Sequence, residues 1–177
     1  MSWMFLPFRR FAQFRGRSRR KEYWMFILFL TIVYSLFVGV AVAMGVSAAT
    51  GGPGSSSVLG MMGSLGALAI FVGLFWLVTL IPSIAVAVRR LHDTDRSGWW
   101  LMLYIGPYVL SLVLNFAGIA NGSASLQLAS VAVSAVGFVG ALVLLVFMCL
   151  DGTRGLNRYG PDPKQLSDGE TLSDVFA

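Results

Sequence analysis

The sequence predicts an all-α membrane protein: four transmembrane helices arranged as two hairpins, an N-terminal amphipathic interfacial helix, and both termini in the cytoplasm. Three observations carry this. Of 177 residues, 56% are apolar and 12% charged, against roughly one quarter charged in a soluble domain. Residues 23–88 and 101–150 contain no charged side chain, and each run exceeds the about 20 apolar residues that cross a hydrocarbon core of roughly 30 Å. All 13 lysines and arginines lie outside those runs, in three clusters.

The elements follow in chain order. Residues 1–21 form a basic segment in which Met4, Phe8, Phe11 and Phe14 recur at helical spacing, so one apolar aromatic face ringed by arginines is expected to lie in the headgroup plane. A four-helix transmembrane domain then occupies 22–150. Small and polar residues at 49–57 and 118–123 break the two uncharged runs, as turn-forming composition does where no charge marks a loop. The spans are therefore about 22–48, 58–88, 99–117 and 124–150. Gly39 with Ala43, and Gly137 with Gly140 and Ala141, have the spacing of close helix crossings. Pro82 and Pro107 are expected to kink their helices. Residues 151–177 form a tail that opens with a Gly- and Pro-rich turn, Gly155-Leu156-Asn157-Arg158-Tyr159-Gly160-Pro161-Asp162-Pro163, and ends as a disordered acidic segment.

Two competing architectures fail on pattern. A β-barrel alternates apolar and polar residues over segments of about ten, which continuous apolar runs do not. A secretory leader has an apolar core of about 7–15 residues; the first span is longer, although Val46-Ser47-Ala48 resembles a cleavage site, and three further spans would hold the chain in the membrane.

Orientation comes from charge. Seven basic residues lie between Arg9 and Lys21, three are Arg89, Arg90 and Arg96, and three lie between Arg154 and Lys164, while the loops at 49–57 and 118–123 have none. Basic loops are retained in the cytoplasm, which puts the termini and the central loop there. Beyond Glu22 at the edge of the first span, no Asp, Glu, His, Lys or Arg lies within the spans, whereas proton relays and ion-coupled carriers require them. What remains for a channel or neutral-solute carrier is uncharged: Thr31, Tyr34, Ser35, Thr79, Ser83, Ser111, Asn115, Gln127 and Ser134. Cys149 is alone and reads as a structural thiol. No zinc spacing, phosphate-cradling loop or nucleophile elbow is present, so no cofactor and no metal is expected. Nucleic acid is excluded because the basic segment abuts a span.

The central loop, residues 89–98, is the densest chemistry: Arg89-Arg90-Leu91-His92-Asp93-Thr94-Asp95-Arg96-Ser97-Gly98, followed by Trp99-Trp100. It supports three readings. Arginines and aspartates pair as a structural cap; the arginines and Trp99 recognise an anionic headgroup or a partner; or His92 acts as acid or base while Asp93 and Asp95 hold a divalent metal on a lipid phosphate. His-Asp-x-Asp is a sparse metal signal, since enzymes acting on lipid phosphates bring more carboxylates.

Three separated stretches, Phe14-Arg15-Gly16-Arg17-Ser18-Arg19-Arg20-Lys21-Glu22-Tyr23-Trp24, then residues 89–100, then residues 155–163, together resemble the DUF805 family of small bacterial inner-membrane proteins over about 14–163. The resemblance implies a bacterial inner (plasma) membrane location and no reaction. It points to Gly16, Arg17, Arg20, Glu22, Tyr23, Trp24, Arg90, His92, Asp93, Gly98, Trp99, Asn157, Tyr159, Gly160 and Pro161. The expected site is a polar cap of Arg17, Arg20, Glu22, Arg89, Arg90, His92, Asp93, Arg96, Trp99, Asn157, Arg158 and Tyr159, with no catalytic residue. Its expected partners are membrane lipids with anionic headgroups, a membrane protein, or a second copy of the chain.

Overall fold

The computed structural model describes residues 3–50 and 58–164. A short helix α1 (Leu6–Arg9) precedes α2 (Arg20–Thr50) and α3 (Val58–Asp93). A 3₁₀ turn, Gly98–Leu101, leads into α4 (Met102–Ala120), and α5 (Ala124–Cys149) follows. Among the described residues there is no strand, only a bridge between Asn157 and Gly160. The four long helices are each long and apolar enough to cross a membrane, as their composition predicts. The loop at 51–57 and the acidic tail beyond Lys164 lie outside the described residues.

Burial is inverted relative to a soluble domain. Large apolar side chains along all four helices are exposed, among them Leu36, Phe71, Phe116, Leu128 and Phe138, each more than 60% accessible. The fully buried side chains include Arg89 and Arg90. Exposed hydrophobic surface on this scale is unstable in water and neutral in lipid, so the apolar helices mark the bilayer and the buried charges mark a polar assembly at their ends. Pro82 and Pro107 both sit inside continuous helices.

The chain divides into two compact units, Met1–Gln13 with Trp24–Ala85, and Phe14–Tyr23 with Val86–Ala177. In the first, Tyr34 and Phe37 of α2 meet the Phe75 ring of α3 edge-on at 5.4 and 5.8 Å, and the Tyr34 hydroxyl lies 3.4 Å from that of Thr79. The N-terminal helix is only one turn long. The anticipated stripe is therefore split: Phe5 and Phe8 pack edge-on against Phe26 and Phe29, while Phe11 and Phe14 follow the helix and are exposed. Gly39, Gly66 and Gly73 have no atom within 4 Å of where a Cβ would stand, so the close crossing expected at Gly39 is not made there.

In the second unit α4 and α5 are joined by the turn at Asn121 and Gly122 and pack tightly. A Cβ on Gly140 would stand 2.3 Å from the Leu103 carbonyl oxygen, one on Gly137 3.2 Å from the Pro107 ring, and one on Gly118 2.8 Å from Gln127 Cγ. Here the small-residue spacing does what its period implies, letting backbones approach where no hydrophobic drive assists association.

Candidate functional site

The site is built around the end of α3, and the first correction concerns where that helix stops. The central motif does not begin a loop at Arg89: α3 continues through Asp93. At 36 residues and 1.5 Å per residue it is about 54 Å long, well beyond a hydrocarbon core of roughly 30 Å, so its last turns carry charge outside the core. The helix closes in a Schellman arrangement. Asp95 takes a left-handed φ of 58°, its N–H donates to His92 O at 3.1 Å, and the Arg96 N–H reaches back to Leu91 O at 2.9 Å. An Asx residue is one of the few that tolerates this position in place of glycine.

The core of the site is an ion network inside that turn. Asp93 accepts from Arg17 Nε on Oδ1 at 2.9 Å and from Arg90 on Oδ2, and all three side chains are at most 5% exposed. Beside it, Arg89 donates to Glu22 Oε1 at 2.9 Å, with both side chains equally buried. The guanidinium groups also serve main-chain acceptors. Arg17 donates to Gly155 O at 2.7 Å and to Thr153 O. Arg90 donates to Met148 O at 3.3 Å and to Leu150 O, and Arg20 donates to Cys149 O at 3.1 Å. The last carbonyls of α5 have no partner within their own helix, and α5 has no basic residue in its last turn. Arginines from α2 and α3 therefore cap it, placing positive charge at the negative end of its dipole.

The exit motif wraps the same turn. Thr153 N–H donates to Asp93 O at 2.8 Å, and Asn157 Nδ2 donates to His92 O and Thr153 Oγ1, both at 2.9 Å. Asn157 Oδ1 also accepts from Tyr159 N–H at 2.9 Å. Gly155 and Gly160, at φ of 76° and 133°, make the bends that glycine permits at little cost. His92 is half-buried, its ring stacked on that of Tyr159 at 3.8 Å and 4°. Its Nδ1 lies 3.3 Å from Gly16 O; a carbonyl only accepts, so Nδ1 carries the proton and the neutral ring's lone pair is on Nε2. Gly152 lies against the network, where a Cβ would stand 2.1 Å from Asp93 Oδ2.

Thus ten of the twelve expected cap residues converge: Arg17, Arg20, Glu22, Arg89, Arg90, His92, Asp93, Asn157, Arg158 and Tyr159. Arg158 reaches the turn through Asp95, at 3.0 Å; the hydrogen bond and charge of Asp95 raise the Arg158 pKa further. The remaining two stand apart. Arg96 lies 4.0 Å over the Phe147 ring of α5, and Trp99 is 79% exposed. Gly152, Thr153, Asp151, Arg19 and Lys164 stand outside the expected cap yet join the site. The first two act through backbone position, which composition does not reveal. The last three line a cleft of about 400 Å³ together with Arg20 and Lys21, assembled from segments more than a hundred residues apart. In it Asp151 pairs with both Arg20 and Lys164, and the Lys164 hydrogen bond holds its carboxyl below the usual carboxylate range, with Arg20 adding to the effect. Among the described residues no three His, Cys, Asp or Glu side chains are grouped to hold a metal.

The likeness to known proteins runs through all three stretches. A family model described as "Protein of unknown function (DUF805)" matches residues 11–161. The chain belongs to the DUF805 family. It is 34% identical over 164 residues to the inner membrane proteins YhaI and YhaH of Escherichia coli K12, covering 93% of this chain and 97% and 98% of theirs. It is 31% identical over 159 residues to the uncharacterized protein YiiR of the same organism, covering 86% of this chain and 87% of that one. No solved structure matches it. With four helices able to span a bilayer, this DUF805 chain is an integral inner-membrane protein.

Proposed function

We propose that the three motifs form a cytoplasmic cap that binds the anionic headgroups of membrane lipids. One observation carries the reading: the inner arginines are consumed by the buried network, while Arg20, Arg158 and Lys164 remain 44, 64 and 56% exposed on its rim. Such a division makes a rigid platform with cations at its surface. Arg20 lies one helical turn before Tyr23 and Trp24, where the apolar span begins, which is headgroup depth. A cation near an anionic leaflet contributes about 1 kcal/mol, and the basic loops predict that this face is cytoplasmic.

The alternatives draw less support. Hydrolysis of a lipid phosphate through His92 and a metal on Asp93 and Asp95 needs carboxylates that here hold Arg17, Arg90 and Arg158. A channel or carrier needs polar groups aimed at a path, yet Thr31, Ser35, Thr79, Ser83, Ser111 and Ser134 donate to carbonyls three or four residues back in their own helices.

The test is native mass spectrometry of purified protein. The triple variant Arg20→Gln, Arg158→Gln, Lys164→Gln should lose co-purified anionic lipid while keeping its thermal midpoint. Unchanged retention of lipid rejects the reading; retention lost together with a co-purifying protein assigns the rim to a protein partner instead. Orientation is checked separately: cysteines placed at Gly54 or Asn121 should be labelled from the periplasm, and labelling from the cytoplasm overturns it.

A further inference from the structure

We infer that the cleft lined by Arg19, Arg20, Lys21 and Lys164 is a phosphate-monoester site, and that Asp151 occupies its anion position as an internal competitor. The inference rests on the headgroup reading above and names where and how the headgroup is held.

Charge comes first. Among the described residues, four cations face the cleft against three carboxylates, Asp93, Asp151 and Asp162. Asp93 is neutralised from behind by Arg17 and Arg90, and Asp162 is buried, its Oδ1 accepting the Lys164 N–H at 2.9 Å. Asp151 is 64% exposed, and it meets both Arg20 and Lys164 through the same oxygen, Oδ1. One carboxylate thus answers two positive groups. A phosphate monoester carries about −1.5 to −2 charge and three acceptor oxygens at neutral pH, so it satisfies both cations where the carboxylate satisfies one charge. A diester, with a single charge, gains nothing over Asp151.

Geometry fits the exchange. Arg20 is fixed by its NH1 on Cys149 O at 3.1 Å, which leaves NH2, now on Asp151, as the group an anion would take. Arg19 is held by Pro163 O through Nε at 2.9 Å, so the exit segment and the start of α2 form two walls of one cleft. The Asp151 side chain needs only to rotate outward to vacate the position. About 400 Å³ is ample for a phosphate group and the first atoms attached to it.

The experiment is calorimetric titration of the full-length protein in neutral detergent with dihexanoyl phosphatidic acid, dihexanoyl phosphatidylglycerol and inorganic phosphate. Phosphatidic acid should bind more tightly than phosphatidylglycerol. Asp151→Asn should tighten phosphatidic acid about five-fold, the equivalent of one charge at a headgroup, and adding Arg20→Gln should abolish that gain. Weaker binding of inorganic phosphate assigns the site to lipid-borne monoesters, and equal binding assigns it to soluble ones; both support a monoester site. If Asp151→Asn leaves the affinity unchanged or weakens it, or if the diester binds as tightly, the inference fails. Should the triple variant above still lose anionic lipid in that event, the headgroup reading stands without it.

Discussion

Asp93→Asn is the substitution that most directly measures what the cap is worth. The amide is isosteric, so packing is kept and only charge and one acceptor are lost. Arg17 and Arg90 would then face a neutral group from positions at most 1% exposed. Removing one partner of a buried pair costs about 3–5 kcal/mol because the remaining charge is left uncompensated. For a chain of this size, with a midpoint change of about 2–4 °C per kcal/mol, the thermal midpoint should fall by about 6–20 °C. Asp95→Asn is the control, since its partner Arg158 is solvent-screened and the midpoint should move little. Intrinsic tryptophan fluorescence during heating in one detergent reads both. Equal shifts for the two variants would refute the claim that the network, rather than the rim, holds the cap.

This network differs from buried ion triads that apolar residues can replace. Such replacement is often neutral or stabilising where the charges serve only each other. Here Arg17 and Arg90 also donate to Thr153, Gly155, Met148 and Leu150 carbonyls. The triple variant Arg17→Met, Asp93→Leu, Arg90→Met strands those acceptors, at about 1–3 kcal/mol for each one left buried. It should be less stable than Asp93→Asn, and a triple variant as stable as the native chain would show that the main-chain bonds contribute nothing.

Four further outcomes follow from local geometry. Gly152→Ala drives a Cβ into the Asp93 carboxylate and should lower the thermal midpoint far more than Gly155→Ala, which meets only the strain of φ 76° and no neighbour within 4 Å. Gly140→Ala, at 2.3 Å from Leu103 O, should cost about 1–3 kcal/mol, whereas Gly106→Ala, with nothing within 4 Å, should be neutral or stabilising; unfolding in mixed micelles distinguishes them. Asp95→Gly should leave the midpoint near that of the native chain, because relief of the left-handed backbone offsets loss of the Arg158 pair, while a β-branched Asp95→Val should lose about 1–3 kcal/mol to strain at the same φ. Finally, the Asp151 pKa is lowered, chiefly by the Lys164 hydrogen bond. Its stabilising contribution is therefore fully present above the ordinary carboxylate range and disappears as pH falls through the lowered value. The midpoints of the native chain and Asp151→Asn should converge on acidification, and a gap that widens would contradict the sign.

Much of this was legible because lipid imposes simple rules. Uncharged runs of helix length identify the four spans, and the charges left outside them mark the chain segments whose side chains form the ion network. Where the helices end was not legible. Counting stops a span at its first charge, Arg89, but a hydrogen-bonded backbone continues until something caps it, and in α3 that is Asp95 six residues later. The N-terminal stripe misled in the opposite direction: helical spacing of Met4, Phe8, Phe11 and Phe14 is a periodicity without a helix to carry it beyond Arg9. Pairing between residues 17–22, 89–95 and 151–160 left no local trace, because donors were arginine side chains and most acceptors were carbonyls.

Why so many buried charges should be kept in a membrane protein follows from what the spans cannot do. Helices in lipid gain little from apolar contact, because acyl chains are as apolar as leucine, and α2 and α3 lack close contacts at Gly39, Gly66 and Gly73. Apolar surfaces of this kind accept many registers. A guanidinium with five donors accepts very few, and Arg17 fixes Asp93 of α3 to the carbonyls of the exit turn, as Arg90 fixes it to the end of α5. The buried arginines therefore set register at one end, where water and lipid meet. This predicts that Asp93→Asn leaves helix content unchanged in circular dichroism while, in a Cys149→Ser background that removes the exposed native thiol, a cysteine placed at the fully buried Ser18 becomes accessible to thiol reagents. Loss of helicity with that cysteine still protected would place the role of the network in helix formation instead.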